Sequence, residues 1–260
     1  MLKILKYSFL DLARSRWTYI YLLFYLALGF LLLFLNNDLS KGIITIMNII
    51  IVLVPLISTV FGVMYYYNSL EFTELLLTLP IPRKFIFLGQ YLGVSISLSL
   101  SLILGLGIPF LLYGLFASSA IWNFMLLLVV GAALTFIFTA LAFNIAILND
   151  NKIKGFSYAI LLWLFLAVVY DGVFLILLFS FPDYPLDTFA LIGTVLNPID
   201  LCRIIILLEL DISALLGFTG AVFKAFMGTW AGILSAASIV LVWIAIPILA
   251  ILRSSQRKDF

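Results

Sequence analysis

Long, uninterrupted apolar segments dominate this chain and restrict what it can fold into. A helix needs about 20 mostly apolar residues to cross the hydrocarbon core of a bilayer. Six segments have about this length or more: residues 17–35, 42–67, 85–116, 120–148, 155–181 and 229–252. Backbone polar groups in lipid must be satisfied internally, which favours helices. The sequence therefore predicts one all-α transmembrane domain over residues 1–260, with six transmembrane helices.

The composition fits a lipid environment and excludes several function classes. Charged residues make up 10% of the 260 residues, against about a quarter in a soluble domain. The chain has no histidine and one cysteine, Cys202, so it offers no imidazole base, no histidine-bound metal and no intrachain disulfide. A net charge of +2 gives no reason to expect a nucleic-acid partner. We expect a non-catalytic membrane subunit without its own cofactor or metal; an intramembrane enzyme and a passive anchor are the alternatives.

Lysine and arginine are unevenly divided between the two faces that six crossings would create. One face receives Lys3, Lys6, Arg14, Arg16, Arg83, Lys84, Lys152, Lys154, Arg253, Arg257 and Lys258, and the other receives Lys41, Arg203 and Lys224. Cytoplasmic loops carry the excess of basic residues in membrane proteins. Both termini are therefore predicted to be cytoplasmic.

Residues 1–16 precede the first apolar segment and show a partly amphipathic pattern. The apolar side of the helical projection holds Leu2, Leu5, Phe9, Leu12 and Ala13, and the polar side holds Lys3, Asp11, Arg14 and Ser15. This pattern favours an interfacial helix on the cytoplasmic surface. The alternative is an ordinary basic flank.

Two features lie within the predicted spans. The third span carries small residues at every fourth position, namely Gly89, Gly93, Ser97, Ser101 and Gly105, which allows another helix to approach closely. The approaching helix would belong to the same chain, to a second copy, or to the wall of a substrate path. Asp171 lies inside the fifth span, where a carboxylate is expected to face the bundle interior. It would either fasten two helices together or contact a proton or a substrate.

The segment 68–82, between the second and third spans, predicts a short amphipathic helix on the cytoplasmic face. Asn68 followed by Glu71 is a helix-start pattern, and Pro80 and Pro82 end the helix. Its leucines have no evident core of their own, so they suggest a surface for a cytoplasmic partner. The contacts expected with that partner involve Glu71, Thr73, Glu74, Leu75 and Leu76.

Residues 71–83 and 89–93 resemble the coupling-helix region of ABC-2 type transporter permeases, and residues 11–17 resemble the entry helix of that family. The resemblance implies that the helix at 68–82 docks into a cytoplasmic ATP-hydrolysing subunit. It also implies a homodimer with two such ATPase subunits, which would bind the ATP and Mg.

The segment 182–228, before the last span, is interrupted by charges and is predicted to be a long, partly helical periplasmic loop. Asn197 and Pro198 predict a turn, Asp200 is a candidate N-cap for a helix to about residue 208, and Arg203 follows one turn later. These four residues either stabilise that helix locally or also form a docking site for a periplasmic partner.

Residues 196–204 and 168–173 resemble the NosY-like branch of the same permeases, which serves the maturation of copper-containing nitrous oxide reductase in denitrification. The resemblance implies NosF-like ATPases, a NosD-like periplasmic copper-handling protein and a location in the bacterial cytoplasmic (inner) membrane. The alternative is an ABC-2 type exporter of a lipid, a drug or a sulfur-containing substrate.

Overall fold

A computed structural model describes residues 2–35, 39–118, 120–180, 187–209 and 230–257. Regular structure in these ranges is helical, and no strand occurs in them. The principal helices are α1 (Leu2–Ala13), α2 (Arg16–Leu35), α3 (Leu39–Asn68), α4 (Leu70–Leu77), α5 (Arg83–Leu112), α6 (Ile121–Leu148), α7 (Lys152–Leu164), α8 (Tyr170–Ser180), α9 (Asp187–Leu196), α10 (Pro198–Glu209) and α11 (Trp230–Arg257). A short 3-10 helix covers Leu115–Ala117, and a π-helix, Phe165–Val169, joins α7 to α8.

Six helical stretches in the described ranges are long and apolar enough to cross a membrane, as the sequence predicts. They are Arg16–Leu35, Lys41–Asn68, Arg83–Leu112, Ile121–Leu148, Lys152–Leu177 and Leu234–Gln256. The pair α9–α10 is bent by 113° and would add a seventh if it counts as one broken span. The chain is therefore an all-α, multi-pass membrane protein.

Small side chains on α5 allow α1 and α2 to pack closely against it. A Cβ atom added at Gly89 would lie 2.9 Å from Ile4 Cγ2, and one added at Gly93 would lie 2.6 Å from Ser8 Cβ. At Gly105 it would lie 2.8 Å from Tyr25 Cβ on α2. The glycines of the small-residue pattern therefore allow packing within one chain, which was the first of the three possibilities named for the approaching helix.

Helix α1 turns a different face to the bundle from the one that the helical projection indicates. Ile4, Ser8 and Leu12 are buried against the other helices, whereas Leu2 is 79% exposed. The close approach to the glycines of α5 selects this buried face, and Leu2, on the predicted apolar side, lies outside it. The placement of α1 at a membrane surface stays a prediction.

Contacts near the ends of helices bring the basic segments to one end of the bundle. The Tyr67 hydroxyl donates to the Asn149 carbonyl at 2.7 Å, and Lys152 Nζ donates to Asn68 Oδ1 at 3.2 Å. Asn144 Nδ2 donates to the Pro247 carbonyl at 2.7 Å, which joins the late parts of α6 and α11. We call this the basic end; its assignment to the cytoplasm remains a prediction from the charge distribution.

The segment expected to be a partly helical periplasmic loop over 182–228 is helical at α9 and α10, as predicted, but α10 is packed into the bundle. Ile199, Leu201, Cys202 and Ile206 on α10 are fully buried, and α10 contacts α3, α6 and α11. Asp200 and Arg203 of α10 are tolerated there because they pair with each other and Arg203 also pairs with Asp171 on α8. Residues 182–186 and 210–228 of this predicted loop lie outside the described residues.

We expect Gly93→Ala to destabilise the bundle and Gly107→Ala to leave it intact. A Cβ at Gly93 would meet Ser8 Cβ at 2.6 Å and the Phe9 nitrogen at 2.9 Å, whereas nothing lies within 4 Å of one at Gly107. Overpacking of this kind costs about 1–3 kcal/mol. Thermal unfolding in detergent should show a lower midpoint for Gly93→Ala alone. Equal midpoints would contradict the packing of α1 on α5.

Candidate functional site

The short helix α4 lies at the basic end, between α3 and α5. It runs from Leu70 to Leu77, and its N-cap is Ser69, whose side chain makes no capping hydrogen bond. The expected start at Asn68 is wrong, because Asn68 is the last residue of α3 and its amide oxygen accepts from Lys152. The helix is also shorter than the predicted segment 68–82, since Thr78 and Leu79 form a turn before Pro80.

Two contacts fix α4 to the helices beneath it. The Thr73 hydroxyl donates to the Ser69 carbonyl at 2.7 Å and accepts from Gln90 Nε2 at 2.8 Å. Gln90 lies on α5 and is fully buried, so this hydrogen bond ties α4 to the most buried span. The rings of Phe72 and Tyr7 stack with centroids 4.5 Å apart, which joins α4 to α1. Helix α4 is therefore held from two sides.

The remaining face of α4 combines two carboxylates with apolar surface. Glu71 and Glu74 are exposed, Leu75 is 67% exposed and Leu76 is half-buried. Thr73, by contrast, is 2% exposed and uses its hydroxyl within the chain. The structure thus places Thr73 underneath α4, where it positions the helix, and not on the surface that a partner would touch.

A second polar cluster joins α8 to α10. Arg203 Nη1 donates to Asp171 Oδ2 at 2.7 Å and to Asp200 Oδ1 at 3.2 Å. The side chains of Asp171 and Arg203 are 29% and 26% exposed, and that of Asp200 is 8% exposed. One guanidinium thus pairs with two carboxylates. Asp171 fastens α8 to α10, which was the first of the two roles predicted for it.

Asn197 completes this cluster and begins α10. Its Oδ1 accepts from the Ile199 N–H at 3.1 Å, and its Nδ2 donates to Asp200 Oδ2 at 2.7 Å and to the Leu166 carbonyl at 2.9 Å. Asn197 is therefore the N-cap of α10, followed by Pro198 at the first helical position, and the assignment of the cap to Asp200 is wrong. Leu166 belongs to the π-helix, whose geometry is common at functional sites.

The structure changes the role expected of the residues at 197–203. Asn197 is fully buried and Asp200 is 6% exposed, so neither offers its side chain to a periplasmic protein. The sequence reasoning placed Asp171 and Arg203 in separate sites, whereas they form one ion pair. A signal was available: an isolated carboxylate within a span requires a cation or a proton, and Arg203 lies in the next segment along the chain.

The described residues contain no group of three or more histidine, cysteine or acidic side chains placed to hold a metal ion. Comparison with known proteins adds no assignment: no protein-family model matches the chain, and no curated protein matches it significantly. Two features remain to be explained by function, the exposed face of α4 and the ion-paired cluster between α8 and α10.

We expect Arg203→Met to lower the stability of the bundle more than Asp171→Asn. The first change leaves two carboxylates without their cation, whereas the second leaves Arg203 paired with Asp200. Removing one partner of a buried pair costs about 3–5 kcal/mol, and less where, as here, the pair is partly exposed. Thermal unfolding of both variants and of Arg203→Lys tests this. A midpoint for Arg203→Met at or above the wild-type value would contradict the cluster's role.

Proposed function

We propose that this chain is the membrane subunit of an ABC-2 type transporter and transmits ATP-driven movement from a cytoplasmic ATPase to the opposite membrane face. The observation that carries the proposal is the exposed, acidic and leucine-bearing face of α4 at the basic end of the bundle. The resemblance of residues 71–83 to the coupling helix of these permeases supports the same assignment.

A helix that receives force must be attached firmly to the spans that it moves. Helix α4 meets this requirement through the Thr73–Gln90 hydrogen bond to α5 and the Tyr7–Phe72 stack on α1. Glu71, Glu74, Leu75 and Leu76 then contact the ATPase, while Thr73 holds the helix in place. The two carboxylates would pair with basic side chains of the ATPase, and Leu75 would enter an apolar socket.

A continuous set of contacts leads from α4 to the cluster at α8 and α10. Helix α5 packs on α6, and α6 packs on α10, whose Arg203 binds Asp171. Movement of α5 would therefore reach α10 through packed helices. Coupling of this kind requires an element with two arrangements. We propose that α9–α10 is that element, since it is bent by 113° and joined to α8 through the cluster.

The proposed client lies on the opposite membrane face. By resemblance, two copies of this chain and two ATPases, with ATP and Mg, act on a periplasmic copper-handling protein during assembly of the copper site of nitrous oxide reductase. Since Asn197 and Asp200 are buried, contact with that protein falls instead to α9, whose Phe189, Ile192 and Leu196 are each more than 40% exposed. Asn197, Pro198, Asp200 and Arg203 then set the position of this surface.

A second candidate is an ABC-2 type exporter of a lipid, a drug or a sulfur-containing compound. The partial exposure of the Asp171 and Arg203 side chains favours it, because charged groups that are not enclosed would be available to a substrate with a polar group. Transport into vesicles containing only this chain and its ATPase would distinguish the exporter from a transmitter that needs a periplasmic protein.

We expect the double variant Glu71→Lys, Glu74→Lys to lose its ATPase while the bundle stays folded. Both side chains are exposed, so the change should reverse the charge of the docking face without disturbing the core. The measurement is affinity purification of the tagged chain, expressed with its chromosomal neighbours, followed by mass spectrometry and an assay of ATP hydrolysis. We expect at least a tenfold loss of copurified ATPase, about 1.4 kcal/mol or more.

The matched control is Lys3→Glu, Lys6→Glu, which reverses two exposed charges on α1 at the same end of the bundle. It should retain the ATPase, and all variants should elute as the wild type in size-exclusion chromatography. Equal retention of the ATPase by the α4 variant and the wild type would remove α4 as the docking helix. Absence of any ATPase from the wild-type preparation would count against the proposed class itself.

A further inference from the structure

A cavity of about 520 Å³ lies where α1, α2, α3 and α4 meet, beside the face of α4 discussed above. Its volume falls in the range of binding sites for small ligands. Its lining includes Tyr7, Asp11, Arg14, Trp17, Tyr65 and Phe72. Neither the proposed ATPase contact nor the ion-paired cluster uses this cavity.

The wall of the cavity presents one positive and one negative side chain. Asp11 and Arg14 are three residues apart at the end of α1, and both are exposed. Within the described part of the chain, neither has an ion-pair partner within 4.0 Å. The two charges are therefore available to a ligand that carries an anionic and a cationic group.

The position of the cavity favours a membrane lipid as that ligand. Trp17 stands at the start of the first span, and tryptophan and tyrosine are enriched at the level of lipid headgroups. Further along α2, Tyr19 and Ile20 are 57% and 55% exposed, as side chains that face lipid would be. The cavity thus combines a charge pair with aromatic walls beside the start of the first span, where a headgroup would meet its acyl chains.

We propose that this cavity binds the headgroup of a zwitterionic phospholipid with a primary ammonium, such as phosphatidylethanolamine. Arg14 binds the phosphate, the Asp11 carboxylate accepts from the ammonium, and the rings of Tyr7, Trp17 and Phe72 pack against the glycerol region. A bound headgroup touches both α1 and α4, so it reinforces the Tyr7–Phe72 contact and fixes α4 relative to α1. The proposal concerns this chain alone and does not depend on an ATPase.

Native mass spectrometry of the purified, delipidated chain tests the site by titration with dioleoyl phosphatidylethanolamine and dioleoyl phosphatidylglycerol. Both lipids carry the phosphate, and only the first carries the ammonium. We expect the wild type to bind phosphatidylethanolamine about tenfold more tightly, because a charge-assisted hydrogen bond is at stake. Asp11→Asn should abolish the preference between the lipids, and Arg14→Gln should weaken both by about tenfold.

Lys3→Gln is the matched control, since Lys3 is an exposed cation of α1 that does not line the cavity. It should bind both lipids as the wild type does. Equal affinity of the wild type for the two lipids would overturn the proposal, as would equal effects of Arg14→Gln and Lys3→Gln. If Asp11→Asn and Arg14→Gln instead change only the recovery of an ATPase, the cavity belongs to the protein interface and the lipid site is refuted.

Discussion

Close packing around α5 is the constraint on which the rest of the structure depends. Lipid supplies no hydrophobic force between helices, so spans associate through van der Waals contact and interhelical hydrogen bonds. Small residues on α5 bring the backbones of α1 and α2 into contact with it. In the most apolar stretch of α5, 67% of the residues are buried within the chain. In that of the fifth span, Lys152–Leu177, the share is 6%. Because α4 is hydrogen-bonded to α5 through Gln90, its position follows from this packing.

Electrostatics decides how the polar segment before α11 is accommodated. A single charge at the centre of a bilayer costs about 2.5–3.5 kcal/mol on insertion scales. For Asp171, Asp200 and Arg203 the cost of leaving water is lowered because one guanidinium pairs with both carboxylates. The Asn197 side chain accepts from the Ile199 N–H at the start of α10 and donates to the Leu166 carbonyl. The α9–α10 pair is thus anchored at its bend, while the exposed side of α9 stays free for lipid or a partner.

The spans could be predicted from the sequence because apolar length is a local property. The small-residue pattern on α5 likewise identified a close helix contact, although the partner helices, α1 and α2, could not be read from it. Long-range pairing could be narrowed but not fixed: a carboxylate within a span requires a cation or a proton, yet nothing local to Asp171 selects Arg203, 32 residues away, as its partner. The orientation of Thr73 was missed for the same reason, since the buried amide of Gln90 that turns it inward lies on another helix.

The central claim is that α4 faces the cytoplasm, and labelling of single cysteines tests it most directly. Cys202, the one native cysteine, is buried and can be replaced by alanine. Leu75→Cys on α4 and Phe116→Cys between α5 and α6 then provide exposed sites on predicted opposite faces. With the chain expressed without an ATPase and a membrane-impermeant maleimide, the account predicts labelling of Leu75→Cys only in inside-out vesicles and of Phe116→Cys only in intact spheroplasts. Labelling of Leu75→Cys in intact spheroplasts would contradict it.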